Sequence, residues 1–216
     1  MKRLILIGGK DKESIKLDKE IVKLANKDNP TFLFIGFASD YAEAEYNNIK
    51  KIYKSLNCNT TFLKRKNCIN NKDLVIKKIK EADIIYIGGG NSIKLMDTLK
   101  DFEIDKLLKE AYNKGTLLTG ISAGAICLSK EGFSDSLVTQ DKPNNYKFIK
   151  GLGFTNISIC PHYSDRKEIL KKHLTNKTVY GLDNNTAIYI EDEEKHFIKD
   201  KNNNIYLIDN NKEEIL

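Results

Sequence analysis

Apolar residues along this chain follow two alternating rhythms. Short runs that are almost wholly apolar end at glycine, asparagine or aspartate, and between them lie longer stretches with apolar residues three and four apart. The short runs predict strands at 3–7, 31–38, 60–63, 83–87, 116–119 and 157–160. Each is nearly all apolar, as a strand covered on both faces must be. The longer stretches predict helices at 13–25, 42–56, 71–81, 92–99, 104–113 and 166–174; in the first, Ile15, Leu17, Ile21, Val22 and Leu24 form one face that packs on a sheet. Strand and helix in this alternation predict an α/β fold, a parallel sheet between two layers of helices. From Val179 onward the rhythm changes. Short strands at 180–182, 187–190, 196–198 and 205–208, joined by polar turns, predict a small antiparallel extension on the sheet edge. No repeat or linker interrupts the chain, so residues 1–216 are expected to form a single domain.

Composition narrows the function classes. With 216 residues, 40% hydrophobic and 31% charged, the chain is long enough for one buried core, and no apolar run approaches the roughly 20 residues that cross a bilayer. The net charge of +6 is spread over alternating signs without a dense basic tract, which argues against nucleic acid as the main ligand. The basic start MKRLILIGGK has an apolar run of only Leu4 to Ile7 and no cleavage pattern, so a buried first strand and a cytoplasmic protein are expected. Cys58, Cys68, Cys127 and Cys160 lie far apart with no CxxC spacing; they read as reduced thiols, and neither a metal nor an organic cofactor is expected.

Ligands of an open parallel sheet bind at the carboxyl ends of its strands, and three segments there could carry chemistry. Gly120-Ile121-Ser122-Ala123-Gly124 is G-x-S-x-G between a predicted strand and an apolar helical stretch, the context of a nucleophile elbow. Two glycines relieve crowding where strand and helix backbones meet, Ser122 is exposed on the turn, and the Ala123 amide faces a developing oxyanion. Gly88-Gly89-Gly90-Asn91 follows the strand at 83–87. It lacks both the phosphate-loop and the dinucleotide spacings, so its best use is further oxyanion donors from Gly89 and Gly90. Pro161-His162-Tyr163 follows the strand at 157–160, and of three histidines only His162 stands at a strand end, which makes it the candidate general base. His173 reads as a helix position and His196 as surface. For the acid, Asp135 lies between nucleophile and base in the chain order of an elbow hydrolase, with Glu131 and Asp165 as its competitors.

Strand-GGGN-helix, then GISAGA, then PHY, then GLDNNTAI at 181–188, resemble in order and spacing the S51 serine peptidases, the family of peptidase E and, more distantly, cyanophycinase. The resemblance spans Met1 to about Ile190 and implies a fold like the class I glutamine amidotransferase domain, with serine at the elbow position. It implies Ser122 as nucleophile, His162 as base, the amides of Ala123, Gly89 and Gly90 as oxyanion donors, and a short peptide as substrate. Asn91 and Arg166 are expected to bind that substrate, Arg166 through an aspartate carboxylate as in peptidase E, although the loop between His162 and Arg166 is shorter here. The rival is a silent domain of the same fold holding an anionic ligand. An amidotransferase would carry cysteine at position 122. The sequence sets no oligomeric state.

Overall fold

The computed structural model describes residues 1–11, 15–210 and 212–216, so the predicted helix start at 13–14 lies outside the described residues. Along the first half run β1 (Arg3–Ile7), α1 (Lys16–Leu24), β2 (Thr31–Ile35), α2 (Ala42–Ser55), β3 (Asn59–Leu63), α3 (Arg65–Asn70), α4 (Lys72–Lys80), β4 (Ile84–Ile87), α5 (Ser92–Asp101) and α6 (Ile104–Asn113). The second half holds β5 (Leu117–Ile121), α7 (Ala123–Leu128), β6 (Glu131–Ser134), β7 (Lys147–Lys150), β8 (Ser158–Pro161) and α8 (Tyr163–Lys171). It ends in β9 (Thr178–Leu182), β10 (Ala187–Glu191), β11 (Glu194–Ile198), β12 (Ile205–Asp209) and β13 (Lys212–Ile215).

These elements form a mixed α/β fold with two sheets. A seven-stranded sheet has the order β11-β10-β1-β5-β4-β2-β3, parallel from β1 to β3, with β10 and β11 added antiparallel. Successive residues of its strands feed different cores. Leu4 and Leu6 pack with Val75, Leu95, Leu108 and Ile126 of α4 to α7, whereas Ile5 and Ile7 pack with Leu17, Ile21 and Tyr53 of α1 and α2. That is the period-two reason why both faces of a central strand must be apolar.

The second sheet, of order β13-β12-β9-β8-β6-β7, corrects the expected architecture. The strand expected at 157–160 as part of one parallel sheet is β8, and it pairs in parallel with β6 and β9 instead. Only β10 and β11 make the expected antiparallel edge; β9, β12 and β13 belong to the second sheet. Tyr163 and Leu170 of α8 join Phe133, Cys160, Val179 and Ile208 in a third core against it. The strands β6, β7 and β13 and the helix α3 are not predicted from the sequence, because they are short and carry charged residues at alternate or end positions. The helix expected at 166–174 begins three residues earlier, its start fixed by Asp183, whose Oδ1 accepts from Ser164 N–H and Oγ–H at 3.0 and 2.6 Å.

All four cysteines are free; Cys58, Cys127 and Cys160 are buried and Cys68 is half-buried. Among the described residues no helix is long and apolar enough to cross a membrane.

Candidate active site

The carboxyl ends of β1, β5 and β4, neighbours in the first sheet, meet the carboxyl ends of β8 and β9 of the second. Two backbone contacts join the two rims: His162 N–H donates to Gly8 O at 3.3 Å and Asn185 N–H to Gly9 O at 2.9 Å, while Gly8 N–H to Thr186 O at 3.1 Å continues the β1–β10 pairing. Ser122 and His162, 40 positions apart in sequence, are thereby brought face to face.

Ser122, at the β5–α7 turn, has φ 53° and ψ −111°, a conformation that costs a non-glycine residue of order 1–3 kcal/mol and persists only where its surroundings impose it. The imposition is visible at its neighbours. A Cβ on Gly120 would sit 2.3 Å from Gly124 O, and one on Gly124 would sit 2.1 Å from Ile87 O, so strand, turn and helix pass closer than any side chain allows. The strained turn aims Ser122 Oγ at His162 Nε2, 3.0 Å away.

His162 is itself left-handed (φ 52°), capping α8. Its other nitrogen, Nδ1, lies 2.8 Å from Asn184 Oδ1 in the loop after β9. Burial, and secondarily the Arg166 charge, hold the imidazole below its ordinary value of 6.5, while the Asn184 bond pulls the other way. A neutral ring with a free Nε2 lone pair is what a proton acceptor for Ser122 requires.

The Gly88–Asn91 loop lies across from the serine. Gly88 N–H donates to Ile35 O and Asn91 N–H to Ala38 O, both at 2.9 Å, leaving the Gly89 and Gly90 amides without an acceptor among the described residues. A Cβ on Gly89 would lie 3.9 Å from Ser122 Oγ, so this loop reaches the reacting position. The Ala123 amide, first in α7, likewise has no acceptor within its own helix. Beside Ser122 opens a pocket of about 420 Å³ whose walls include Phe34, Ile49, Tyr86, Ile121, Lys10 and Glu45. Lys10 is ion-paired there with buried Asp18.

Three expected site residues stand elsewhere. Asp135 does not meet His162: its Oδ2 takes Arg166 Nη2 at 2.7 Å. Arg166 does not line the pocket beside Ser122. Its side chain is only 9% exposed, donates also to Phe133 O at 3.2 Å and stacks over Tyr146, so its charge is spent holding the loop after β6. Asn91 caps α5, its Oδ1 accepting from Lys94 N–H at 2.9 Å and its Nδ2 donating to Ser136 O at 3.1 Å, which uses both ends of the amide. Neither competing acid meets His162: Glu131 pairs with Lys177, and Asp165 is exposed in the first turn of α8. The residue that meets His162 is Asn184, a neutral amide where the sequence leads one to expect a carboxylate. Its signal is positional, since it follows a strand end as Ser122 and His162 do.

A strained serine between two glycines, an imidazole within hydrogen-bond reach and unpaired amides opposite define a hydrolase of the serine type. The comparisons with known proteins agree. The model of Peptidase family S51 matches residues 4–198, and the chain belongs to that family: it is a serine-type peptidase. It is 31% identical over 211 residues to the uncharacterized peptidase YgaJ of Bacillus subtilis, covering 93% of this chain and 85% of that one. It is 32% identical to peptidase E of Haemophilus influenzae over 127 residues, 52% of this chain and 56% of that protein. Two solved structures share the fold. A peptidase from an acI-B1 actinobacterium superposes with a TM-score of 0.77 at 23% identity over 100% of this chain and 94% of that one. A putative peptidase E protein from Listeria monocytogenes gives 0.71 at 24% identity over 93% and 100%.

Proposed function

We propose that this chain, acting as one domain on a three-layer scaffold like that of the class I glutamine amidotransferases, hydrolyses short peptides through an acyl-enzyme on Ser122. The observation that carries the reading is the 3.0 Å approach of Ser122 Oγ to Nε2 of the half-buried His162, whose imidazole is held below its ordinary value chiefly by burial. In the first step Nε2 takes the hydroxyl proton as Oγ attacks the scissile carbonyl, and the amides of Ala123, Gly89 and Gly90 receive the oxyanion. The imidazolium then gives its proton to the leaving amine, and water, deprotonated by the same nitrogen, releases the acid. Asn184 takes the third position, accepting from Nδ1–H so that the proton stays off Nε2.

Substrate selection follows from the pocket. Its one cation, among the described residues, is Lys10, already neutralised by Asp18, and Glu45 adds a further negative charge. An aspartate side chain gains little from such a balance, and the apolar walls of Phe34, Ile49, Tyr86 and Ile121 suit an uncharged residue better. The proposed substrates are therefore short peptides without a strict requirement for aspartate. The test is a fluorophosphonate probe: a single adduct mapped to Ser122 and lost in Ser122→Ala supports the reading. No adduct, where a control hydrolase reacts, overturns it.

A further inference from the structure

The line of hydrogen bonds through Ser122, His162 and Asn184 continues one residue further. Asn184 Nδ2 donates to Asp11 Oδ1 at 3.2 Å, and Asn185 Nδ2 donates to Asp11 Oδ2 at 2.6 Å. Asp11 N–H returns a bond to Asn185 Oδ1 at 3.0 Å. Asp11 thus holds both side-chain amides of the Asn184–Asn185 turn, one on each carboxylate oxygen. The close approach is built in from below, because a Cβ on Gly9 would lie 2.0 Å from Asn184 Oδ1 and 2.5 Å from His162 Cε1.

A carboxamide has two ends of nearly equal shape and opposite hydrogen-bond character. If the Asn184 NH2 faced His162, Nδ1 would have to accept, the ring proton would sit on Nε2, and Nε2 could not accept from Ser122. A carboxylate in the third position has no such ambiguity. An ionised aspartate beside the amide removes it, since it accepts only, takes the NH2 and turns the carbonyl toward His162.

We propose that Asp11 is a positioning residue for the hydrolytic reaction, acting through Asn184 to keep the His162 proton on Nδ1. It also supplies, through the polarised amide, negative charge that the neutral Asn184 cannot offer when the imidazolium forms. This role rests on the serine-peptidase reading above and adds no contact with substrate. Bonds to an ionised partner are the stronger ones, and for an exposed partner such as Asp11 the low end applies, about tenfold in rate.

The deciding experiment is an exchange. Asp11→Asn, which makes the wrong amide orientation available, is compared with the double variant Asp11→Asn/Asn184→Asp, in which the acceptor at 184 needs no orienting. Each is measured for kcat and KM on a dipeptide that the wild type cleaves, for the rate of fluorophosphonate labelling of Ser122, and for Tm. The expected result is a loss of about tenfold in kcat and labelling rate for Asp11→Asn with KM nearly unchanged, and recovery of most of that loss in the exchange variant. A residue that merely shapes the loop would lower Tm without recovery in the exchange. Labelling of Asp11→Asn at the wild-type rate, or a folded exchange variant as slow as Asp11→Asn, overturns the proposal while leaving Ser122 as nucleophile. Absence of labelling in the wild type sinks both. Should Asp11→Asn fail to fold, the exchange variant decides alone, near-wild-type kcat supporting the role and a tenfold deficit removing it.

Discussion

Gly124→Ala is the sharpest probe of how the fold holds the site. The added methyl would sit 2.1 Å from Ile87 O, 2.8 Å from Ile87 C and 3.1 Å from Gly88 O, all backbone atoms at the end of β4. No flexible side chain is there to yield. Relief needs a separation of about 1 Å between α7 and β4 to reach ordinary contact. Overpacking of this kind costs about 1–3 kcal/mol, and the upper end applies because both partners are backbone. Alanine regains up to about 1 kcal/mol over glycine in a helix, leaving a net loss of about 2 kcal/mol. For a chain of this length that lowers Tm by about 4–8 °C. The functional cost is larger. Ile87 leads directly into Gly88–Gly90, so the same displacement moves the oxyanion amides away from Ser122, and a misplacement of about 1 Å costs about 100-fold in rate. Thermal melts and kcat/KM on a cleaved dipeptide measure the two effects. A Gly124→Ala protein with wild-type Tm and wild-type kcat/KM would refute the claim that close passage of α7 over β4 sets the site geometry.

Arg166→Leu is expected to lower stability by about 2 kcal/mol, since it strips the buried Phe133 carbonyl and half-exposed Asp135 of their donor, yet leave the ratio of kcat/KM for Asp-X and Leu-X dipeptides unchanged; a fall confined to Asp-X would restore Arg166 to the substrate. Because His162 is held below 6.5, the acid limb of kcat/KM is expected below pH 6.5, as a pH–rate profile will show. The stability effect has a definite sign: the unfolded histidine binds its proton more readily than the folded one, so stability falls as pH drops through about 6.5 toward the lower folded value. His162→Gln should flatten that part of the stability curve in urea melts at successive pH values, and an unchanged slope would count against the burial argument.

Much of this was legible in the chain itself. The apolar runs at 3–7, 83–87 and 116–119 become β1, β4 and β5 because a strand covered on both faces admits few polar residues, and that requirement is written locally. The elbow was legible for the same reason: the crowding that demands Gly120 and Gly124 arises between segments a few residues from Ser122 or directly under it. Strands such as β7 (Lys147–Lys150) and β13 (Lys212–Ile215) were not, because edge strands with charged positions resemble turns until a partner supplies their hydrogen bonds.

The partnerships of charged and amide side chains belong to the tertiary structure alone. Asp135 has the chain order of an acid, yet β6 and α8 bring it to Arg166, and Arg166 is thereby withdrawn from the pocket beside Ser122. Asn184 is marked locally only by following the end of β9, which does not say what it touches. It reaches His162 because β8 and β9 lie side by side in a second sheet whose carboxyl rim abuts that of the first. Sequence determined which residues are strained, buried or poised at strand ends, since those properties depend on near neighbours. Which of them touch was decided by how two sheets meet, a matter of long-range packing that no single stretch of the chain contains.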